Sequence, residues 1–433
     1  MRRGLEGVVL TIGSVAYAGS ALAQTPPPAP QPPSSMSSMQ MSMPMMPPGP
    51  LGIDDVRDGS GTSWLPDESP MSGAMRQTGP WMLMLHGNAF LEDVQTTGAR
   101  GDHQVGSVNW FMGMAERDVH GGRFTARAMM SLEPLTVGTC GYPDLLQSGE
   151  LCHGAPLHDD QHPHNLFMEV ALDYRHALSH AVAFEVYGGP VGEPALGPVA
   201  FPHRPSAMSN LMAPISHHWL DSTHISFGVV TGALYGRRWK AESSVFNGRE
   251  PDDPRYGFEL ASLDSYSGRL SFLPSPRWAL QVSAGHVKDA EARPDGTRQT
   301  VNRLTASATY HRLMNDRLWA TTVAWGRNDE AGQATSAFMA ETSAETSPRD
   351  LWFGRLEAVG KTATDLALPL PGGDVFTVGK VDVGYTRWLA DGHGLRAGLG
   401  GSVGVSLVPA VLTSFYGGRS PLELTVFLTL RPH

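Results

Sequence analysis

Leu263–Val287 reads LDSYSGRLSFLPSPRWALQVSAGHV, and its pattern decides the fold. In the first half, Tyr266, Gly268, Leu270 and Phe272 fall on one face and Ser267, Arg269 and Ser271 on the other. In the second, Trp278, Leu280, Val282 and Ala284 alternate with Ala279, Gln281 and Ser283. A period of two puts apolar and polar side chains on opposite faces of a strand. Each run is roughly ten residues long, the length a tilted strand needs to cross a bilayer core. Pro274 and Pro276 confine the break to Leu273–Arg277, so the two runs form an antiparallel hairpin. A water-soluble sandwich would alternate in the same way, and only repetition along the chain separates the two.

The pattern repeats from Trp81 onward. Strands are predicted over 81–92, 104–115, 123–133, 166–176, 181–190, 223–234, 239–247 and 264–273. Seven more are predicted over 277–287, 299–312, 317–328, 350–361, 375–389, 394–406 and 422–431. Short links at Asp118–Gly122, Ala177–His180, Gly236–Arg238, Leu273–Arg277 and Leu313–Arg317 alternate with long ones at 134–165, 191–222, 248–263, 288–298 and 329–349. Such alternation is the pattern of an outer-membrane barrel, with short turns in the periplasm and long loops outside. An odd count conflicts with the even number of single-chain bacterial barrels. The links 362–374 and 407–421 are where a strand is expected to be missed or false, leaving about 14–16 strands. The expected fold class is therefore all-β, a transmembrane antiparallel β-barrel over 81–433 in a Gram-negative outer membrane.

The polar faces carry Arg127, Glu169, Asp173, Arg175, Glu185, Lys240, Glu242, Arg269, Arg303, Arg355, Glu357, Lys380 and Asp382. Charges of both signs on one face suit a lumen, where they cost far less than in lipid. A soluble sandwich would need a second apolar layer facing them.

Composition agrees. At 41% hydrophobic residues and 17% charged, with 49 glycines among 433 residues, the chain is too polar for a helical membrane bundle and suits strands and turns. A net charge of −10 without a basic patch argues against a nucleic-acid partner. Arg2 and Arg3 precede the apolar run Val8–Leu22, and Ala21-Leu22-Ala23 ends it, which reads as a signal peptide over 1–23. An anchor helix is disfavoured by the Ser and Gly in that run and by its length. Residues 24–80 are rich in Pro, Ser and Met and are expected to form a disordered periplasmic leader. Cys140 and Cys152 of an exported chain are expected to form a disulfide, stabilising by roughly 3 kcal/mol. A two-cysteine metal site is the weaker reading.

Two groups of residues point to metal. Ten of the 17 histidines lie between 153 and 224. HGAPLHDDQHPHN supplies His158, His162 and His164, and HHWLDSTH supplies His217, His218, Asp221 and His224. Imidazole with carboxylate suits Zn(II), Cu(II) or Ni(II), although singly such histidines more often order loops by hydrogen bonding. In the leader, Met36, Met39, Met41, Met43, Met45 and Met46 form a thioether run that selects Cu(I) or Ag(I) over hard cations. A Met-rich tether without metal is the equal alternative. Glu250 with Asp252 and Asp253 reads as a solvated acidic turn before a Ca(II) site. For catalysis, His224 and Ser226 lie two apart, with Asp221 or Glu242 to orient the imidazole. The strand pattern places Ile225, Phe227 and Val229 toward lipid and this pair in the lumen, away from a lipid substrate, so no enzyme activity is expected.

The phrases DDQHPHNLFMEVALDY, GGPVGEPALGPVAFPHRPSA, HHWLDSTHISFGVVTGALYG, FNGREPDDPRYGFELASLDSYSGRLSFLP and VFLTLRP resemble a poorly characterised family of proteobacterial outer-membrane β-barrel proteins. The Met-rich leader separately resembles that of copper-resistance protein B, another outer-membrane barrel. Residues 1–80 contain no histidine, unlike the Met-His repeats of that leader. The chain also ends in Arg-Pro-His rather than the terminal Phe common to such barrels, with Phe427 nearby. The resemblance implies handling or transport of metal, copper foremost, with a periplasmic metal-handling protein and outer-membrane lipid as partners and no required cofactor beyond a copper ion. A general or solute-specific porin, or a structural barrel, is the alternative, and a barrel hydrolase the second.

Overall fold

The computed structural model describes residues 48–432 apart from 71–72, 252, 254, 294–295 and 393. The strands are β1 (Ala74–Thr78), β2 (Trp81–Thr96), β3 (His103–Gly106), β4 (Asn109–Val119), β5 (Gly122–Met130), β6 (Tyr142–Cys152) and β7 (Ala155–Gln161). Next come β8 (Phe167–Ala177), β9 (Ala183–Gly192), β10 (Ser226–Tyr235), β11 (Trp239–Phe246), β12 (Ser265–Ser275), β13 (Trp278–Ala292) and β14 (Arg298–Met314). The chain closes with β15 (Arg317–Glu330), β16 (Gln333–Ser347), β17 (Asp350–Thr362), β18 (Val375–Gly392), β19 (Leu395–Leu407) and β20 (Leu422–Pro432).

Every neighbouring pair in the main sheet is antiparallel, and β20 returns to β2 with Leu430 opposite Ala89 and Glu423 opposite Thr96. The sheet is therefore closed. Of its 18 strands, β1 flanks the start of β2, and β3 with β4 form one wall strand interrupted at 107–108. Sixteen wall strands remain among the described residues, and closure removes every free edge.

Alternation sets the two faces as the sequence demands. Leu172, Val186, Leu234, Leu270, Val282, Phe338, Leu356 and Val426 point outward and exposed. Near the short-turn end, Trp278 packs on Tyr310 at 5.0 Å and Trp352 on Tyr385 at 4.8 Å, with Trp239 opposite Phe272. These rings form the aromatic girdle that marks a membrane interface. No helix among the described residues is long and apolar enough to cross a membrane.

Four expectations need correction. The missed strand is β16, read as part of the 329–349 loop, and not one after residue 361. Its outward face is Ser336, Phe338, Ala340, Thr342 and Ala344, too small and polar to announce itself. A two-residue turn at Ala331 and Gly332, with φ of 51° and 87°, joins it to β15, and such left-handed turns suit hairpin twist.

Second, the part of the presumed leader from residue 48 onward is ordered (Met36, Met39, Met41, Met43, Met45 and Met46 lie outside the described residues). Residues 55–69 lie inside the barrel, where wall charges hold them. Asp58 pairs with Arg175 at 2.7 Å and Asp55 with Arg123 at 3.0 Å. The carbonyl of Gly61 accepts from Arg127 and that of Thr62 from Lys240. Trp64 stacks edge-on against Tyr235 at 5.8 Å. This segment lacks periodicity because it is buried through ionic and backbone contacts.

Third, the long loops turn inward. The β6–β7 hairpin anchors through Asp144, 2.5 Å from Lys380, and Ser148, which accepts from Lys361 at 2.7 Å. The 193–225 loop anchors through Arg204, whose guanidinium donates to Glu341 at 2.5 Å and to Asp221 at 2.9 Å. Ser216 donates to Glu357 at 2.6 Å, and Asn210 to Asp382 at 2.8 Å.

Fourth, Val229 and Phe227 face inward and are buried, whereas Val230 and Leu234 face lipid. Thr231 Oγ1 lies 2.7 Å from Ser244 Oγ across the inner face, which fixes that parity. The register, with Phe227 opposite Val191, Val229 opposite Gly189 and Thr231 opposite Tyr187, keeps one parity along β10, and Ile225 is buried with Phe227, so the sequence reading inverted the two faces of this strand.

Candidate metal centre

The thirteen charges expected to line the lumen are all buried on the inner face. Most pair with one another or with the chain folded into the barrel. Arg269 donates to Glu242 at 2.9 Å, Lys240 lies 2.5 Å from Glu185, and Arg355 donates to Glu341 at 3.1 Å. Arg175 joins Asp173 at 2.8 Å and Glu185 at 3.3 Å. Arg127 sits 3.9 Å from both Glu169 and Asp173, and Arg303 donates to Ser222 at 3.0 Å. The wall therefore acts first as a scaffold that holds three inward segments in place.

Those segments bring most of the histidines together. His162 comes from the residues after β7, His218 from the short helix α1 (His217–Leu220), and Glu250 from the loop after β11. The ligand atoms of these three residues all lie within 4.8 Å of one another. Their side chains are 11%, 5% and 13% exposed, respectively. His218 Nδ1 is 3.1 Å from Glu291 and 3.8 Å from Glu250, and His162 Nε2 is 3.4 Å from Glu150. His162 Nδ1 faces the Pro163 carbonyl at 3.3 Å, which leaves Nε2 as the free lone pair. That Nε2 has no hydrogen-bond partner although buried, while Glu150 is ion-paired with Arg255.

Burial and neighbouring charges set the protonation of the cluster. Burial, then the neighbouring His218 and His217, holds the His162 imidazole well below its ordinary pKa, so it is neutral and able to ligate. Burial raises the Glu250 carboxyl to about 7 despite His218, and Glu291 adds to the rise. Against burial, Glu250 and then Glu291 raise the pKa of the His218 imidazole, and Glu150 pairs with Arg255, so the neutral His162 is the group with a lone pair to offer an ion of the Zn(II) or Cu(II) type.

The remaining predicted residues sit elsewhere. His164, His217 and His224 surround Phe201, with His164–His224 rings 5.4 Å apart and His217–His224 rings 5.2 Å apart. Each has Nδ1 engaged: His164 by Glu133 at 2.9 Å, His217 by Asp221 at 2.8 Å and His224 by the Asp221 carbonyl at 2.8 Å. Burial would raise the Asp221 carboxyl, but Arg204 and then His217 hold it below the usual range, so Asp221 serves as an anchor for this loop. His158 lies apart, its Nδ1 2.8 Å from Asp159, which pairs with Arg100. Ser226 Oγ donates to the Thr223 carbonyl at 3.0 Å, so its hydroxyl is engaged away from His224. Cys140 and Cys152 are joined as a disulfide that ties the residues before β6 to its last residue, at the hairpin turn. Glu150 and Glu291 were not singled out in the sequence. No local spacing marks them, because the contact is made across the lumen.

A cavity of about 380 Å³ adjoins the site, and Glu150, Glu291, Glu330 and Asp365 line it beside Arg293.

No protein-family model matches the chain, and no curated protein matches it. Among solved structures, the anion-selective porin from Comamonas acidovorans is similar at TM-score 0.49 and 11% identity, covering 81% of this chain and 99% of that one. OmpF of Salmonella typhi in complex with daunomycin is similar at TM-score 0.49 and 10% identity, covering 83% and 100%. OmpT of Vibrio cholerae is similar at 0.45 and 8%, covering 83% and 100%. The closed sheet, the lipid-facing belt and the aromatic girdle carry the conclusion by themselves. The chain is an outer-membrane β-barrel. Its lumen has a wall of paired charges around inward-folded loops.

Proposed function

We propose that this barrel admits and handles transition-metal cations, copper among them, through the acidic cavity and the His162–His218–Glu250 cluster. The convergence of those three ligands within 4.8 Å carries the reading. The four carboxylates of the adjoining cavity support it by concentrating cations at the long-loop end. Mixed imidazole and carboxylate ligands suit Zn(II) and Cu(II) over Mg(II) or Ca(II). The ions pass only as the inward loops shift, since ionic contacts hold those loops across the lumen. Passage of polar solutes is the second reading, favoured by the volume of the same cavity.

Proteoliposomes with an entrapped metal-sensitive dye test the proposal. Zn(II) and Cu(II) entry is expected to exceed that into empty vesicles, and to fall at least tenfold in His162→Gln/His218→Gln. Equal entry with and without that double substitution would overturn it, as would swelling by sugars with no metal entry.

A further inference from the structure

The short-turn half of the lumen holds a second cluster, of different chemistry. Here the inner face carries several thioethers side by side. The register aligns Met75 of β1 with Met84 of β2, and Met84 with Met114 of β4. In the next inward-facing row, His86 of β2 is opposite Met112 of β4, which is opposite Met129 of β5. Directly opposed residues on antiparallel strands have Cβ atoms roughly 4.5–5.5 Å apart, so each row can bring its sulfur atoms together.

The 193–225 loop covers these rows with His203 and Met208. His203 Nε2 lies 3.2 Å from Met129 Sδ, and the His203 and His86 rings are 5.6 Å apart. Asn88 donates to the Met208 carbonyl at 2.9 Å and fixes that residue above β2. A cavity of about 130 Å³ remains between the loop and the wall, lined by Met84, Met112, Met114, Met208, His86 and His203. Its other end carries Asp54, Asp55, Asp58 and Glu116 beside Arg127, with Asp55 and Asp58 paired to Arg123 and Arg175.

From this arrangement we infer a binding site for a soft monovalent cation, Cu(I) or Ag(I), ligated by the thioethers of Met84, Met112 and Met114 with the imidazole of His203. Neutral, polarisable sulfur selects such ions over hard cations. Methionine also fills irregular cores, and Met112 and Met129 do pack against Trp110 and Phe227. Filling alone does not account for a cavity kept between paired sulfur rows and two imidazoles. A line of rings leads from this cavity toward the other cluster. His203 and His224 border one small void, His224 lies 5.2 Å from His217, and His217 lies 6.1 Å from His162. The inference rests on the proposed metal handling only in taking the lumen to be reachable by cations.

The test uses the full chain in detergent, with Met36, Met39, Met41, Met43, Met45 and Met46 replaced by leucine so that the amino-terminal run contributes no sulfur. Ag(I), redox-inert, is titrated in chloride-free buffer, and bound metal is measured after dialysis together with the silver-edge absorption spectrum. One tightly held equivalent with a sulfur shell is expected. Met84→Leu/Met112→Leu/Met114→Leu is expected to lose it, and His203→Gln to bind at least tenfold more weakly. His162→Gln/His218→Gln is expected to retain silver while losing Zn(II), which keeps the two sites separable. Absence of bound silver in the parent would overturn the inference, and so would an unchanged sulfur shell in the triple variant. If the triple variant fails the heat-shift test for a folded barrel, His203→Gln decides: wild-type affinity there refutes the site.

Discussion

Replacing Arg204 with methionine is expected to free the 193–225 loop from the wall while leaving the barrel intact. The Arg204 side chain is fully buried and makes three contacts, to Glu341 at 2.5 Å, to Asp221 at 2.9 Å and to the Val199 carbonyl at 2.6 Å. Breaking a buried ion pair by removing one partner costs roughly 3–5 kcal/mol, because the other charge stays buried without compensation. Glu341 keeps Arg355 at 3.1 Å and Ser206 at 2.8 Å, so the uncompensated group is Asp221 and the lower end applies. About 3 kcal/mol raises the undocked population of the loop on the order of 100-fold. The loop holds both Ser216 on Glu357 and Asn210 on Asp382, so undocking clears the middle of the lumen. Single-channel recording in a planar bilayer then shows frequent large openings against a quiet wild-type trace. Limited proteolysis cuts within 193–225, and the heat-modifiable gel shift is unchanged. Identical traces and identical protease resistance would refute the reasoning.

Further perturbations test other contacts. Burial, then Glu116 and Asp58, raises the Asp55 carboxyl to about 7 against the opposing charges of Arg123 and Arg175. Because its folded pKa lies above the unfolded value, its contribution to docking is complete below about pH 4, declines as pH rises, and is gone above about 7. The decline is at most about 4 kcal/mol, and Asp55→Asn should abolish it, read as equal protease accessibility of the 48–69 segment at pH 5 and pH 8. Cys140→Ser/Cys152→Ser should loosen the β6–β7 hairpin by about 3 kcal/mol and accelerate cleavage there without altering the barrel. Leu270→Arg, on the lipid face, should lower folding stability in vesicles by about 2–4 kcal/mol, measured as a reduced urea midpoint.

The wall was legible because the period of two survives wherever lipid demands apolar side chains outside, as along β12 and β13. It failed at β16, whose outward Ala and Ser residues satisfy lipid weakly, and at β10, where apolar Phe227 and Val229 line the inner face and were read as facing lipid. The ligand types were legible, since His162 and His218 stand in conspicuous clusters. Their partners were not: Glu250, Glu150 and Glu291 reach them across the lumen, a contact set by loop direction and not by spacing. The charges read as lining a wet or ion-paired lumen; they are ion-paired, and they also bind the chain's own segments. Which partner a buried charge takes follows from the folded loop, as Asp58 does for Arg175.

Zinc-edge absorption on the full chain loaded with one equivalent of Zn(II) tests the centre of this account. It predicts a low-coordinate shell of two imidazoles and carboxylate oxygen at about 2.0–2.2 Å, lost in His162→Gln/His218→Gln. A six-oxygen shell without imidazole scattering, or one unchanged by the substitutions, would contradict it.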